Sequence, residues 1–188
     1  MYLRRDSLLK RLPIHPTDTV LLGDSITHEG EWAELLGAIA VKNRGISGDT
    51  TGGLLSRLAP ILDAAPQTIL LMIGINDLLN QQNSPAEISQ NYHKILAHIQ
   101  AQAPQTRVLV QSVLPVNAQL CGRQVSQEIM VVNAQLQALS KEFSYEYIDL
   151  FQQFTDPQNQ LDQQYTLDGV HLNGAGYLRW QQILEPYL

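Results

Sequence analysis

Thr19-Val20-Leu21-Leu22-Gly23-Asp24-Ser25-Ile26-Thr27 is the stretch from which the fold can be read. An apolar run with β propensity stops in Gly-Asp-Ser, the pattern of a buried strand ending in a tight turn. A hydroxyl at such a junction is held out by rigid backbone, as a nucleophile requires and a core serine does not. Plain turn chemistry also explains Gly, Asp and Ser there. The weight therefore comes from what the rest of the chain sets around this stretch.

Upstream, residues 2–12 carry Leu3, Leu8, Leu9 and Leu12 ahead of Pro13, which predicts a short amphipathic helix. Downstream, residues 31–36 predict a short helix, residues 41–45 a brief strand, and residues 46–51 a small, polar loop. Leu54, Leu58, Ile61 and Leu62 follow at helical spacing, with Pro60 breaking or restarting the helix. Residues 68–74 are almost continuously apolar, as in a strand covered on both faces. Ser84-Pro85-Ala86-Glu87 matches a capping box with proline at the first helical position, and Ile88, Tyr92, Ile95, Leu96 and Ile99 give that helix its stripe.

Residues 107–114 predict a fourth strand, Val125 to Phe143 a second long helix, and residues 145–150 a fifth strand. Residues 152–165 turn polar and glutamine-rich and read as a surface excursion. A last helix places Tyr177, Trp180, Ile183, Leu184 and Tyr187 inward. Five strands alternating with helices imply an α/β domain around a parallel sheet, with no linker or repeat dividing residues 1–188.

At 188 residues with 44% hydrophobic and 16% charged content, the chain has globular composition. A net charge of −6 with no Lys/Arg block argues against a nucleic-acid or anionic-membrane surface. The lone Cys121 permits no internal disulfide, which fits a reducing compartment. No apolar run approaches the ~20 residues of a membrane span. Residues 1–10 lack a signal-peptide core, so a cytoplasmic protein is expected.

Sites in open parallel sheets form beyond the carboxyl ends of the strands. Ser25, Gly48, Asn76 and the Asp168–His171 segment all fall on that edge. Acyl transfer needs a nucleophile, a base, a carboxylate to orient the base, and donors for an oxyanion. Asp24, Asp49 and Asp77 read as structural, bonding turn or helix-start amides. Asp168-Gly169 alone would be only a turn, and Asn173 only a helix cap. His93 and His98 are five apart, not the spacing of paired metal ligands, and His28 reads as an exposed loop residue.

Four blocks in order give the chain a resemblance to the SGNH hydrolases, or GDSL esterases: Gly23-Asp24-Ser25, Asn43 to Thr51, Gly74-Ile75-Asn76-Asp77 and Asp168-Gly169-Val170-His171. Ile26 stands where that family commonly has Leu. Gly48-Asp49-Thr50-Thr51 and His171 to Tyr177 make it most similar to acetylhydrolases of the platelet-activating-factor acetylhydrolase catalytic-subunit type. The resemblance implies a three-layer, flavodoxin-like fold with a five-stranded parallel sheet. It implies Ser25 as nucleophile, His171 as base and Asp168 as its orienting carboxylate. The N–H groups of Ser25 and Gly48, with the Asn76 amide, would form the oxyanion hole.

The expected activity is serine esterase hydrolysis of a small acyl group, plausibly acetyl, on a small-molecule ester, with no cofactor or metal. A homodimer is compatible with this reading. Lysophospholipase or thioesterase action on longer acyl chains is the alternative within the same chemistry, and Trp32, Leu78, Leu79 and Leu172 are the candidate lining. A non-catalytic, flavodoxin-like module that cradles phosphate on Gly23-Asp24-Ser25 and Gly48-Asp49-Thr50-Thr51 is the alternative from another class. It leaves Asn76, Asp168 and His171 unused.

Overall fold

The computed structural model describes residues 2–37 and 40–188. Five strands, β1 (Thr19–Gly23), β2 (Val41–Gly45), β3 (Thr68–Met72), β4 (Arg107–Gln111) and β5 (Glu146–Ile148), pair in parallel in the order β2-β1-β3-β4-β5. Every residue of β1 and β3 is buried, which is why these segments read as unbroken apolar runs rather than alternating ones. Gly23 is in register with Gly45 on one side and Met72 on the other, so three neighbouring strands stop at a common rim.

The helices are α1 (Tyr2–Leu9), α2 (Ser25–His28), α3 (Trp32–Leu35), α4 (Thr51–Ser56), α5 (Ala59–Asp63), α6 (Ile75–Leu79), α7 (Pro85–Gln102), α8 (Ala118–Cys121), α9 (Ser126–Glu142), α10 (Phe151–Phe154) and α11 (Gly174–Leu184). The step from β1 to β2 runs one way along the sheet, and the later steps run the other. Right-handed crossovers therefore put α2 and α3 on one face and α4 to α9 on the opposite one. Within that second layer α7 packs on α9 and α4. On the first, Trp32 of α3 meets Trp180 of α11 edge to face, with centroids 4.7 Å apart. The chain reverses its winding at β1 and β3, and their carboxyl ends open the crevice where α/β sheets bind ligands.

Several expectations hold in detail. The Ser84–Glu87 capping box is complete, and Ile88, Tyr92, Ile95, Leu96 and Ile99 are all buried. Pro60 divides the predicted helix into α4 and α5, lying in the first turn of α5.

Others need correction. The first helix stops at Leu9 and buries no side chain, and Leu3, Leu8 and Leu12 are exposed. β4 ends at Gln111 rather than at residue 114. The Asn133 side chain takes both backbone groups of Val113: Oδ1 accepts from its N–H at 2.8 Å, and Nδ2 donates to its carbonyl at 2.9 Å. The sheet ladder stops where a side chain replaces the strand. β5 is correspondingly short. The glutamine-rich stretch after residue 150 is not a plain surface excursion, because it contains α10 and buries Phe154 and Leu161 completely. No helix among the described residues is long and apolar enough to cross a membrane.

Candidate active site

Ser25 is the first residue of α2, directly after β1, and only 7% exposed. Asp24 caps that helix, with Oδ1 accepting from the Ile26 N–H at 3.0 Å. Complete burial pushes the Asp24 carboxyl up from its ordinary 3.8 to about 7. Side chains from distant segments fix the following backbone. Asn43 Nδ2 donates to the carbonyls of Thr27, His28 and Gly30 at 3.0–3.2 Å, while its Oδ1 accepts from the Gly45 N–H at 2.9 Å. Trp32 Nε1 donates to the Thr27 carbonyl, and the Tyr177 hydroxyl to the Ile26 carbonyl, both at 2.7 Å.

The Ser25 hydroxyl meets His171 Nε2 at 2.9 Å across 146 residues of chain. His171 Nδ1 lies 2.6 Å from Asp168 Oδ2. An ionised carboxylate only accepts, so Nδ1 carries the ring proton and Nε2 is left to accept from Ser25. Asp168 Oδ1 meanwhile accepts from the N–H groups of Val170 and His171 at 2.9 and 2.8 Å. Partial burial alone would raise the Asp168 carboxyl, but the imidazole and these two N–H groups outweigh it and hold it at about 2. Thr166 closes the loop by donating to the His171 carbonyl at 2.7 Å and accepting from the Gly169 N–H at 2.9 Å. Gly169 has φ +85°, and a Cβ there would press on the Asn117 carbonyl and on Cys121 of α8, so the loop is seated directly on α8.

Gly48 lies in the turn closed by the Asp49 N–H on the Ile46 carbonyl at 3.1 Å, with φ +78°, a conformation that favours glycine. Asn76, on α6 after β3, donates from Nδ2 to the Asp49 carbonyl at 3.0 Å and accepts on Oδ1 from Asn80 Nδ2 at 2.8 Å. One hydrogen of the Asn76 amide remains. Among the described residues no acceptor engages the backbone N–H of Ser25 or of Gly48. Asn76 is thus tied to the Gly48 turn directly. That turn is tied to the Ser25 strand by the Ile46 N–H on the Gly23 carbonyl at 3.1 Å.

Arg57 is the residue that sequence reasoning missed. Its Nε donates to Asp49 Oδ2 at 2.7 Å, Nη1 to the Arg44 carbonyl at 2.9 Å and Nη2 to the Gly23 carbonyl at 3.0 Å. One buried guanidinium therefore bolts the ends of β1 and β2 to the Gly48–Asp49 turn. A charged residue three positions after Leu54 and directly before Leu58 falls on the apolar side of the predicted helix and needs a partner inside, and that was the available signal. Asp24, Asp49 and Asp77 do bind turn or helix-start amides, Asp77 through the Thr51 N–H at 2.9 Å.

Two smaller readings change. His28 is half-buried at the end of α2 rather than exposed, with Nδ1 2.8 Å from Ser47 Oγ. Trp32 is core, 2% exposed, and offers no pocket surface. Leu78 does line a cleft of about 600 Å³, together with residues 82–85, 122–125 and 128. The cleft has the Asn76 helix on one side and the residues following α8, the seat of the His171 loop, on the other.

The model of the GDSL-like lipase/acylhydrolase family matches residues 21–179. The chain is 27% identical over 169 residues to the rat platelet-activating factor acetylhydrolase IB subunit alpha2, covering 86% of this chain and 72% of that one. A solved structure from Streptococcus pneumoniae superposes with TM-score 0.89 at 29% identity, over 99% of this chain and 92% of its own. A GDSL-like lipase from Bacteroides thetaiotaomicron does so at 0.85 and 24%, over 98% and 95%. With a five-stranded parallel sheet flanked by helices and a family match across most of its length, the chain belongs to the GDSL-like lipase/acylhydrolase family and is a carboxylic ester hydrolase.

Proposed function

We propose that Ser25, His171 and Asp168 hydrolyse a short-chain ester, an acetyl ester in the first instance, through an acyl-enzyme. The observation that carries this reading is the unbroken run of contacts from Ser25 Oγ to His171 Nε2 at 2.9 Å and from Nδ1 to Asp168 at 2.6 Å. Ser25 Oγ attacks the ester carbonyl while Nε2 takes its proton, and Asp168 stabilises the resulting imidazolium. The N–H groups of Ser25 and Gly48 and the remaining Asn76 hydrogen stabilise the oxyanion. Collapse expels the alcohol, protonated by His171. Water, deprotonated by the same imidazole, then attacks the acyl-enzyme, and the bond from the acyl carbon to Ser25 Oγ breaks as His171 returns the proton to that oxygen, releasing the acid.

Acetyl preference is supported by the acetylhydrolase name of the rat relative. The cleft beside Leu78 is the observation favouring a second reading, hydrolysis of longer acyl chains. A chain-length series of p-nitrophenyl esters separates the two: acetate turned over best supports the first, octanoate the second. The phosphate-cradling reading fits poorly, because His171 already engages the hydroxyl that would hold the phosphate.

Ser25→Ala should lower turnover of p-nitrophenyl acetate by about 10⁴-fold or more, and a fluorophosphonate should label Ser25 alone. Full turnover in the alanine variant would end the proposal.

A further inference from the structure

A separate cavity of about 210 Å³ lies beneath α1 and the residues that follow it, and none of Ser25, Gly48, Asn76, Asp168 or His171 lines it. Its walls are of two kinds. Leu9, Leu12, Ile14 and Ile61 supply apolar surface, and Arg44 and Arg57 supply guanidinium groups. Both arginines are buried, 4% and 6% exposed. Arg57 is neutralised by Asp49 at 2.7 Å. Arg44 is not.

Among the described residues no carboxylate comes within 4.0 Å of the Arg44 guanidinium. Its hydrogen bonds run only to neutral carbonyls, those of Asn43 and Pro13 at 3.3 Å and Leu12 at 3.1 Å. These use three of the five donors a guanidinium carries. The other carboxylates around the cavity are engaged elsewhere. Asp6 holds Lys10 at 2.5 Å, while Asp18 holds Lys42 at 3.7 Å and the His15 N–H at 2.7 Å. Arg5 adds a further positive charge, its Nε donating to the Gly45 carbonyl at 3.0 Å. Burial and the charges of Arg5 and Arg57 hold the Arg44 pKa below its ordinary value, against the opposing pull of the more distant Asp18 carboxylate. Of the three cations that line the cavity, Lys10 is paired with Asp6 and Arg57 with Asp49, which leaves the charge of Arg44.

We propose that this cavity binds an amphipathic monoanion, a carboxylate on an unbranched hydrocarbon chain, with the carboxylate on Arg44 and the chain against Leu9, Leu12, Ile14 and Ile61. A buried cation without a counterion is costly, and an anion that supplies one recovers that cost. The two donors left on Arg44, one on Nε and one on Nη1, lie on different edges of the guanidinium, so a carboxylate oxygen would accept from one of them while supplying the missing negative charge. One uncompensated charge calls for a monoanion, which favours a carboxylate over a dianionic phosphate monoester. The apolar walls select against acetate, whose methyl group would cover little of them.

Calorimetric titration of the full chain with octanoate tests the site, using protein whose Ser25 has first been blocked with a fluorophosphonate. One saturable site is expected, with octan-1-ol and acetate each at least ~tenfold weaker. Arg44→Gln should weaken octanoate by a similar factor. Because Arg44 also holds the Leu12 and Pro13 carbonyls, Leu9→Trp serves as the second variant. It fills the cavity from α1, leaves Arg44 in place, and should abolish octanoate binding while esterase turnover is kept. Absence of saturable binding, octanol as tight as octanoate, or undiminished binding to folded Leu9→Trp protein would each overturn the proposal. Failure of the fluorophosphonate to label Ser25 is a different failure. It would count against Ser25 as nucleophile, and the titration of unblocked protein and of both variants would still decide the cavity.

Discussion

Ser25 sits on a turn gripped from several distant parts of the chain, whereas Asp168 and His171 sit on a loop held mostly by its own bonds. Asn43, Trp32, Tyr177 and Arg57 all donate to carbonyls at or beside the Ser25 turn, and they come from β2, α3, α11 and the residue that ends α4. On the other side, the Asp168 carboxylate, the Thr166 hydroxyl and the backbone N–H groups of residues 169–171 bond to one another. The Thr166–Leu172 bridge and the seat on α8 complete the loop. Exposure follows the same division: Ser25 is buried, while the side chains of His171 and Asp168 are 36% and 55% exposed. In the proposed mechanism Ser25 must be fixed relative to the oxyanion donors, whereas His171 has only to reach one proton and hand it on, so a locally ordered loop serves.

The division makes opposite predictions for activity and stability. Asp168→Asn should cost ~10⁴-fold in kcat, because the imidazole loses both its orientation and its tautomer. Its effect on stability should stay within about 1 kcal/mol, since the carboxylate faces solvent. Steady-state kinetics and a urea melt on the same sample check both. A large drop in the urea midpoint would show that the loop carries more of the fold than its exposure suggests.

Arg57→Met reverses the pattern. It strands the buried Asp49 carboxylate and frees the Gly23 and Arg44 carbonyls, and should cost about 3–5 kcal/mol of stability. Adding Asp49→Asn removes the stranded charge and should restore part of that loss, a coupling measurable by a double-mutant cycle. Asn76→Ala should lower kcat by ~10²–10³-fold with KM little altered, as expected of a donor used mainly in the transition state.

The same contrast explains what was legible in the sequence. The four blocks in order named every side chain in the Ser25–His171–Asp168 contacts, because each block pairs short-range turn chemistry with one chemically distinctive residue. The grip on the Ser25 turn was not readable. Tyr177 and Ile26 are 151 residues apart, and Arg57 and Gly23 are 34 apart. No periodicity encodes such pairings. Similarly, the capping box at Ser84 is local and was legible, while the end of β4 depends on Asn133, a helix residue 20 positions beyond Val113. The helix at residues 2–9 failed as an amphipathic element because its leucines follow no continuous stripe, and α1 rests on Arg5 and the cavity wall instead.

Burial of Asp24 supplies a pH test of the Ser25 side. Its carboxyl is raised from 3.8 to about 7 in the folded chain, so the folded state holds a proton that the unfolded state has lost. The stability this confers is complete below the unfolded value and fades as pH rises through about 7. Asp24→Asn keeps a capping oxygen and removes the titration. Between pH 5 and pH 7 it should flatten a slope worth on the order of 2 kcal/mol, read from urea midpoints across that range. Equal slopes in the two proteins would mean that Asp24 is ionised in the fold.

The smallest expected effect probes the strut between the two sides. Tyr177 stands one turn into α11, the helix that begins three residues after His171, and its hydroxyl reaches the Ile26 carbonyl beside Ser25. The ring packs on Trp32 and Trp180 and would stay in place without the hydroxyl. Tyr177→Phe should therefore cost about 1 kcal/mol, the price of one unmade hydrogen bond to a partly buried carbonyl. If the strut sets the separation of Ser25 and His171, kcat falls by a few-fold while KM holds. If the loop finds its position from Thr166, Asp168 and the seat on α8 alone, the melt shifts and kcat does not. The second outcome would make the base side independent of the nucleophile side, linked to it only through the 2.9 Å contact itself.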